Sequence, residues 1–186
     1  MNLECTFAQI LANKTISKPK QSSHIQQWLG TSNVPQYLSI RIGNYLEELF
    51  NTLLQDISIL SELTLKGKQR ILRYDNQDHQ VDILARIGTR IYHRELKTNT
   101  DLDRGKKRDV RRRENYIYLA LNETYPEYSI DSCVFCPFFT SSREVSGLGK
   151  VEGLADFIDT FGLNISIEEF ISLGKSEQIH KLLLLK

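Results

Sequence analysis

The 186-residue sequence contains no apolar run long enough to cross a bilayer, carries almost no net charge, and has only three cysteines. The first absence excludes a helical membrane span, so no membrane partner is expected. Met1-Asn2-Leu3-Glu4 has neither the basic start nor the apolar core of an export signal, which points to a cytoplasmic location. A net charge of +1 leaves any affinity for a polyanion to local clustering of basic residues. Three cysteines cannot all pair, so a reduced protein is expected rather than a disulfide scaffold. Cys133-Val-Phe-Cys136 has no second CxxC to complete a zinc site, and His24, His79, His93 and His180 are scattered. Four ligands are needed for structural zinc, so these thiols read as buried strand residues. Repeats and low-complexity segments are also missing.

What is present suits one domain over residues 1–186, with 40% hydrophobic and 25% charged residues and enough length to bury a core. Leu3–Leu11 and His24–Leu29 read as short helices around a polar loop. Tyr37–Leu54 predicts a longer helix, because Leu38, Ile42, Tyr45, Leu46, Leu49, Phe50 and Leu53 recur at three- and four-residue spacing. Gln69–Tyr74 reads as a strand, and Asp75–Asp78 as a turn. Tyr128–Phe139 is aromatic and β-branched, and is expected as a strand parallel to an earlier one. Ser141–Lys150 reads as a loop. Leu154–Leu163 and Ile167–Leu173 read as helices broken at Gly162–Asn164, with Ser166 as a helix start. Ser176–Leu185 is an apolar end that suits either the core or a subunit contact.

The most informative stretch is Gln80–Asn99. Val81–Ile87 predicts an apolar strand with Asp82 set into it, Gly88-Thr89 a tight turn, and Ile91–Lys97 a second strand. Alternation places His93, Glu95 and Lys97 on one face. Twelve residues separate Asp82 from Glu95, and a hairpin of that size brings the aspartate beside the Glu/Lys pair. An unpaired carboxylate within so apolar a strand would be costly to bury. Two carboxylates and an amine at a strand end suit a hard divalent cation and a water next to a phosphate. A polar strand end with a weak Glu95–Lys97 pair is the plainer alternative.

Downstream, six of the eight residues from Lys106 to Arg113 are basic, and the stretch continues as a helix through Glu114–Leu121. Like charges so crowded repel unless something anionic offsets them. DNA phosphate is the natural partner, through Lys106, Lys107, Arg108, Arg111, Arg112 and Arg113.

Asp82 followed by Glu95-Leu96-Lys97 resembles the D…(D/E)xK signature of the PD-(D/E)XK nuclease superfamily, although Val81 stands where a proline is usual. The resemblance covers residues 37–139, with 1–36 and 140–186 as peripheral elements. It implies an α/β fold in which a central mixed sheet is flanked by helices, and Mg²⁺-dependent cleavage of DNA, with Mn²⁺ as substitute. In it Asp82, Glu95 and the Leu96 carbonyl would hold the metal, and Lys97 would orient the attacking water. Gly43-Asn-Tyr-Leu-Glu47-Glu48 resembles the helix before the hairpin, with Glu47 facing the metal site; a solvated surface pair is the alternative. His93 would contact the cut strand or simply lie exposed. Length and order of segments further resemble the small subunit of a heterodimeric type IIS restriction endonuclease, whose larger partner reads the sequence and nicks the other strand. A homodimeric type II enzyme, a repair or junction-resolving nuclease, and a catalytically idle DNA-binding module are the alternatives.

Overall fold

The computed structural model describes residues 23–30, 34, 36–55, 65–66 and 69–176. The expectations for Leu3–Leu11, for most of Ile57–Leu65 (apolar, and expected as a short helix or irregular strand) and for nearly all of Ser176–Leu185 therefore lie outside the described residues. Among the described residues five helices, α1 (Ser23–Leu29), α2 (Gln36–Gln55), α3 (Arg104–Thr124), α4 (Leu154–Phe161) and α5 (Ile167–Gly174), surround two sheets. A small antiparallel sheet joins β1 (Leu65–Lys66), β2 (Gln69–Tyr74) and β3 (Gln77–Val81). The larger sheet has the order β4-β5-β6-β8-β7, from β4 (Ile83–Ile87), β5 (Arg90–Leu96), β6 (Ser129–Phe135), β7 (Arg143–Val145) and β8 (Gly149–Glu152). Its β4/β5 and β7/β8 pairs are antiparallel and its β5/β6 and β6/β8 pairs parallel, which makes it a mixed sheet. The α/β class is as expected, with α3 as the crossover that lets β6 run parallel to β5.

Side-chain alternation sets the layers. Ile83 and Ala85 join a core with Leu38, Ile42, Leu46 and Phe50 of α2, whereas Leu84 and Ile91 meet Ile117, Ala120 and Leu121 of α3. Phe50 is wholly buried, with ring centroids 5.0 Å from Phe135 and 5.1 Å from Phe157. Burial of a side chain that size is worth about 2–3 kcal/mol, so α2 is fixed in rotation against the sheet. Residues next to Leu46 and Phe50, namely Glu47 and Asn51, are thereby held at the margin of the core.

Four expectations need correction. Val81–Ile87 is not one strand: the ladder breaks at Asp82, with β3 ending before it and β4 beginning after it. Asp75 and Asn76 alone form the β2–β3 turn, both with positive φ (49° and 58°), the conformation that a two-residue hairpin loop demands and Asp and Asn tolerate. Ser141–Lys150 is not a loop but a hairpin, whose β8 adds to the large sheet beside β6. The basic run does not precede a helix but lies within one, because Asp103 caps α3 by accepting a hydrogen bond from Lys106 N. The α4 and α5 helices stand as expected, broken at Gly162, and Ser166 and Glu169 form a reciprocal capping box.

Candidate active site

Asp82 sits at the break between the sheets. The β4–β5 register pairs Ile83 with Arg94, so its continuation by one residue sets Asp82 opposite Glu95. A break in a ladder leaves backbone carbonyls without strand partners. Here side chains from two helices supply them. Asn51 Nδ2 of α2 donates to Asp82 O at 2.7 Å, and Arg113 Nη2 of α3 donates to Gln80 O at 2.6 Å. The break is thus clamped from both faces of the fold.

Asp82 is only 7% exposed, and its side-chain Oδ2 accepts from Leu96 N at 3.0 Å. Lys97 Nζ lies 2.6 Å from Glu95 Oε1 and 3.8 Å from Asp82 Oδ2, and also donates to the Leu96 carbonyl at 3.0 Å. Arg113 completes the group, with Nη2 3.2 Å from Asp82 Oδ1 and Nε 3.4 Å from Glu95 Oε2. Glu95 Oε2 is buried and receives no hydrogen bond.

Burial raises the Asp82 carboxyl to about 6, and neighbouring Glu95 adds to the shift. Burial likewise pushes Glu47 up to about 7, with Asp82 and Glu95 as further causes. Glu47 therefore lies close enough to both carboxylates to be shifted by them. Its carbonyl accepts from the same Asn51 amide that holds Asp82. The small residue four positions earlier is not what admits it, since a Cβ on Gly43 would make an ordinary 3.8 Å contact with Thr98.

Three carboxylates thus face two cations in a largely dry setting. Oxygen-only donors suit a hard divalent ion, and the orphaned Glu95 oxygen gives that ion a place to act. Even so, among the described residues no three His, Cys, Asp or Glu side chains stand ready to ligate one ion, and the positive charge between Asp82 and Glu95 is that of Lys97 and Arg113. The Leu96 carbonyl accepts from Lys97, and the Leu96 N–H donates to Asp82.

Two other expectations change. His93 is neither exposed nor available to DNA. It is fully buried, its Nδ1 is 2.8 Å from Ser132 Oγ, and desolvation with nearby Arg94, Arg113 and Lys97 pushes it down to about 3. A neutral imidazole therefore lies behind the carboxylates. The basic run is also largely offset from within the chain. Lys106 pairs with Asp103, Arg112 with Asp109, Arg111 with Glu114 and Arg113 with the site carboxylates. Among the described residues Arg104, Lys107 and Arg108 have no carboxylate partner. Cys133 and Cys136 are free thiols, as expected, and burial pushes them up to about 12 and about 11.

Asn51 and the inward role of Arg113 escaped the sequence reading. Both were marked by helix period: Asn51 follows Glu47 by four residues, and Arg113 precedes Ile117 by four, on the face that α3 buries.

On the opposite face of the large sheet, Arg94 is 2% exposed and bonds Glu152 through two nitrogens, at 2.7 and 3.0 Å, and Asp131 at 2.9 Å. Such a bidentate pair is strong and geometrically specific. It ties β5, β6 and β8 together directly behind Glu95.

No known protein-family model matches this chain, and neither does any curated protein or solved structure.

Proposed function

We propose that this chain is a divalent-metal-dependent DNA endonuclease of the PD-(D/E)XK type, acting as the small cleavage subunit beside a larger sequence-reading subunit. The observation that carries the reading is the convergence of Asp82, Glu95 and Lys97 at a ladder break, with Lys97 Nζ within 3.8 Å of both carboxylates and Glu47 beside them. A polar strand end with a weak exposed pair would not bury Glu95 to 1% exposure or hold Asp82 from two helices.

Asp82 and Glu95 would hold the metal, Mg²⁺ or Mn²⁺, with Glu47 at its outer edge. When bound, the ion supplies Lewis-acid stabilisation of the phosphate and an acidified water. The Lys97 ammonium orients the attacking water through one hydrogen bond and offsets charge that develops on the phosphoryl oxygens. Glu95 fixes that ammonium. The Asp82 carboxylate is aimed by Leu96 N–H and by its clamped backbone. Duplex DNA would approach along α3, where the exposed Arg104 and Arg108 and the half-buried Lys107 have no carboxylate partner among the described residues and would meet phosphates.

The helices α1, α4 and α5 all pack into one core with α2, and the subunit role rests on the resemblance in the order of segments. Plasmid nicking in Mg²⁺ and in Mn²⁺, by the chain alone and with a candidate large subunit, tests both levels. Asp82→Ala and Lys97→Ala should each lower the rate by about 10²–10³. Nicking that survives both substitutions would place the active site elsewhere. Sequence-specific double-strand cutting by the chain alone would overturn the subunit role and leave the nuclease.

A further inference from the structure

We infer that Arg113 is an internal counter-cation that occupies the metal position of the resting site, so that divalent-ion binding and release of this guanidinium are one exchange. The inference rests on the cation-site reading above and concerns how that site is filled.

Arg113 reaches inward from the end of the basic stretch of α3. Its Nη2 contacts Asp82 Oδ1 at 3.2 Å and its Nε faces Glu95 Oε2 at 3.4 Å. It therefore bridges the two carboxylates that would share a metal, on the side away from Lys97, which takes Glu95 Oε1 and lies nearest Asp82 Oδ2. Neither contact with the carboxylates is tight, and the Glu95 oxygen still lacks a hydrogen bond. The anchor is the 2.6 Å bond to Gln80 O, a neutral acceptor just outside the pair. A guanidinium so placed supplies charge but cannot give both oxygens good geometry. A small divalent ion can, at closer range and with twice the charge.

Arg113 is also equipped to leave. Its side chain is 36% exposed, whereas that of Glu95 is 1% exposed. Rotation away from the carboxylates brings it toward the exposed basic side chains of α3, where substrate phosphate is the next anion at hand.

The test is Mn²⁺ binding by isothermal titration calorimetry on the full chain, with Arg113→Gln, Arg112→Gln and Asp82→Ala compared with the unaltered protein. Arg113→Gln should bind Mn²⁺ roughly five- to tenfold tighter, a factor typical of linked equilibria. Arg112→Gln loses the same charge from the same helix, and should change affinity by less than about twofold because its charge is exposed and screened. Asp82→Ala should abolish binding. Equal affinity of Arg113→Gln and the unaltered protein, or weaker binding by the variant, would overturn the exchange while leaving the metal site standing. Tightening by both Arg→Gln variants alike would reduce the effect to a general field and also overturn it. Failure of the unaltered protein and Arg113→Gln to bind Mn²⁺ better than Asp82→Ala would remove the metal site, and the exchange with it. A measurement that needs no variant to fold is ¹⁵N NMR of the Arg113 Nε–H group. Its signal should be distinct without metal and move on saturation with Mg²⁺, and an unchanged signal at saturation would refute the exchange.

Discussion

Glu47→Gln should stabilise the metal-free protein at alkaline pH. Burial, Asp82 and Glu95 raise the Glu47 carboxyl from 4.5 to about 7, so between those values the folded state holds a proton that the unfolded state has lost. Stability then falls as pH rises through this window, and the full penalty is present only above about 7. At 1.36 kcal/mol per pKa unit the displacement corresponds to about 3 kcal/mol. Solvent screening at a half-buried side chain lowers this to about 1–2 kcal/mol. Glutamine keeps the size and hydrogen-bonding reach but cannot ionise, so the penalty disappears. In EDTA the variant should melt about 2–8 °C higher than the unaltered protein at pH 8, and the two should melt together at pH 5. Saturating Mg²⁺ should narrow the difference at pH 8, because the ion offsets the Glu47 charge that the variant lacks. Calorimetric melting across pH 5–8, with and without Mg²⁺, reads every part of this. A variant that is less stable than the unaltered protein at pH 8 in EDTA would show that Glu47 is not held against Asp82 and Glu95.

Two further outcomes concern the scaffold and the DNA face. Arg94→Met should cost roughly 3–5 kcal/mol in urea denaturation, because Glu152 is left charged and buried, and adding Glu152→Met should recover most of the loss; a single-variant cost under about 1 kcal/mol would refute the buried pair. Replacing Arg104, Lys107 and Arg108 together by Gln should reduce the salt dependence of duplex binding, lowering the log–log slope by about 0.9 for each phosphate no longer neutralised. The same replacement at Lys106, Arg111 and Arg112 should lower the slope less, since those charges are already paired; equal reductions would show that pairing within α3 has no bearing on DNA.

The α2 helix, β5, the parallel β6 and the two helices after β8 were legible because each is a local pattern. Apolar spacing at three and four residues fixes which face of α2 is buried, and the Gly88-Thr89 turn fixes the β4–β5 register. That register makes Asp82 face Glu95, so the core of the candidate site could be read from the sequence as well. The strand break at Asp82 was not legible. Val81 and Ile83 are both apolar, and nothing local says that they belong to different cores, one under α3 and one under α2. The β7–β8 hairpin was hidden in the same way, since its few residues carry weak strand preference and gain their order from pairing with β6.

Charge was the least legible property. The sequence determines that six cations crowd into eight positions between Lys106 and Arg113. It does not determine what they face, because ion pairs depend on helix phase and on elements far away in the chain. Tertiary structure turned Arg113 inward onto Asp82 and Glu95, buried His93 behind them, and left Arg104, Lys107 and Arg108 without carboxylate partners among the described residues. By itself the sequence determined which residues meet at the end of the hairpin, through strand alternation and hairpin register. Only the fold decided which cation stands between the carboxylates, because that depends on a helix packed across the sheet, and Coulomb energy depends on distance in space.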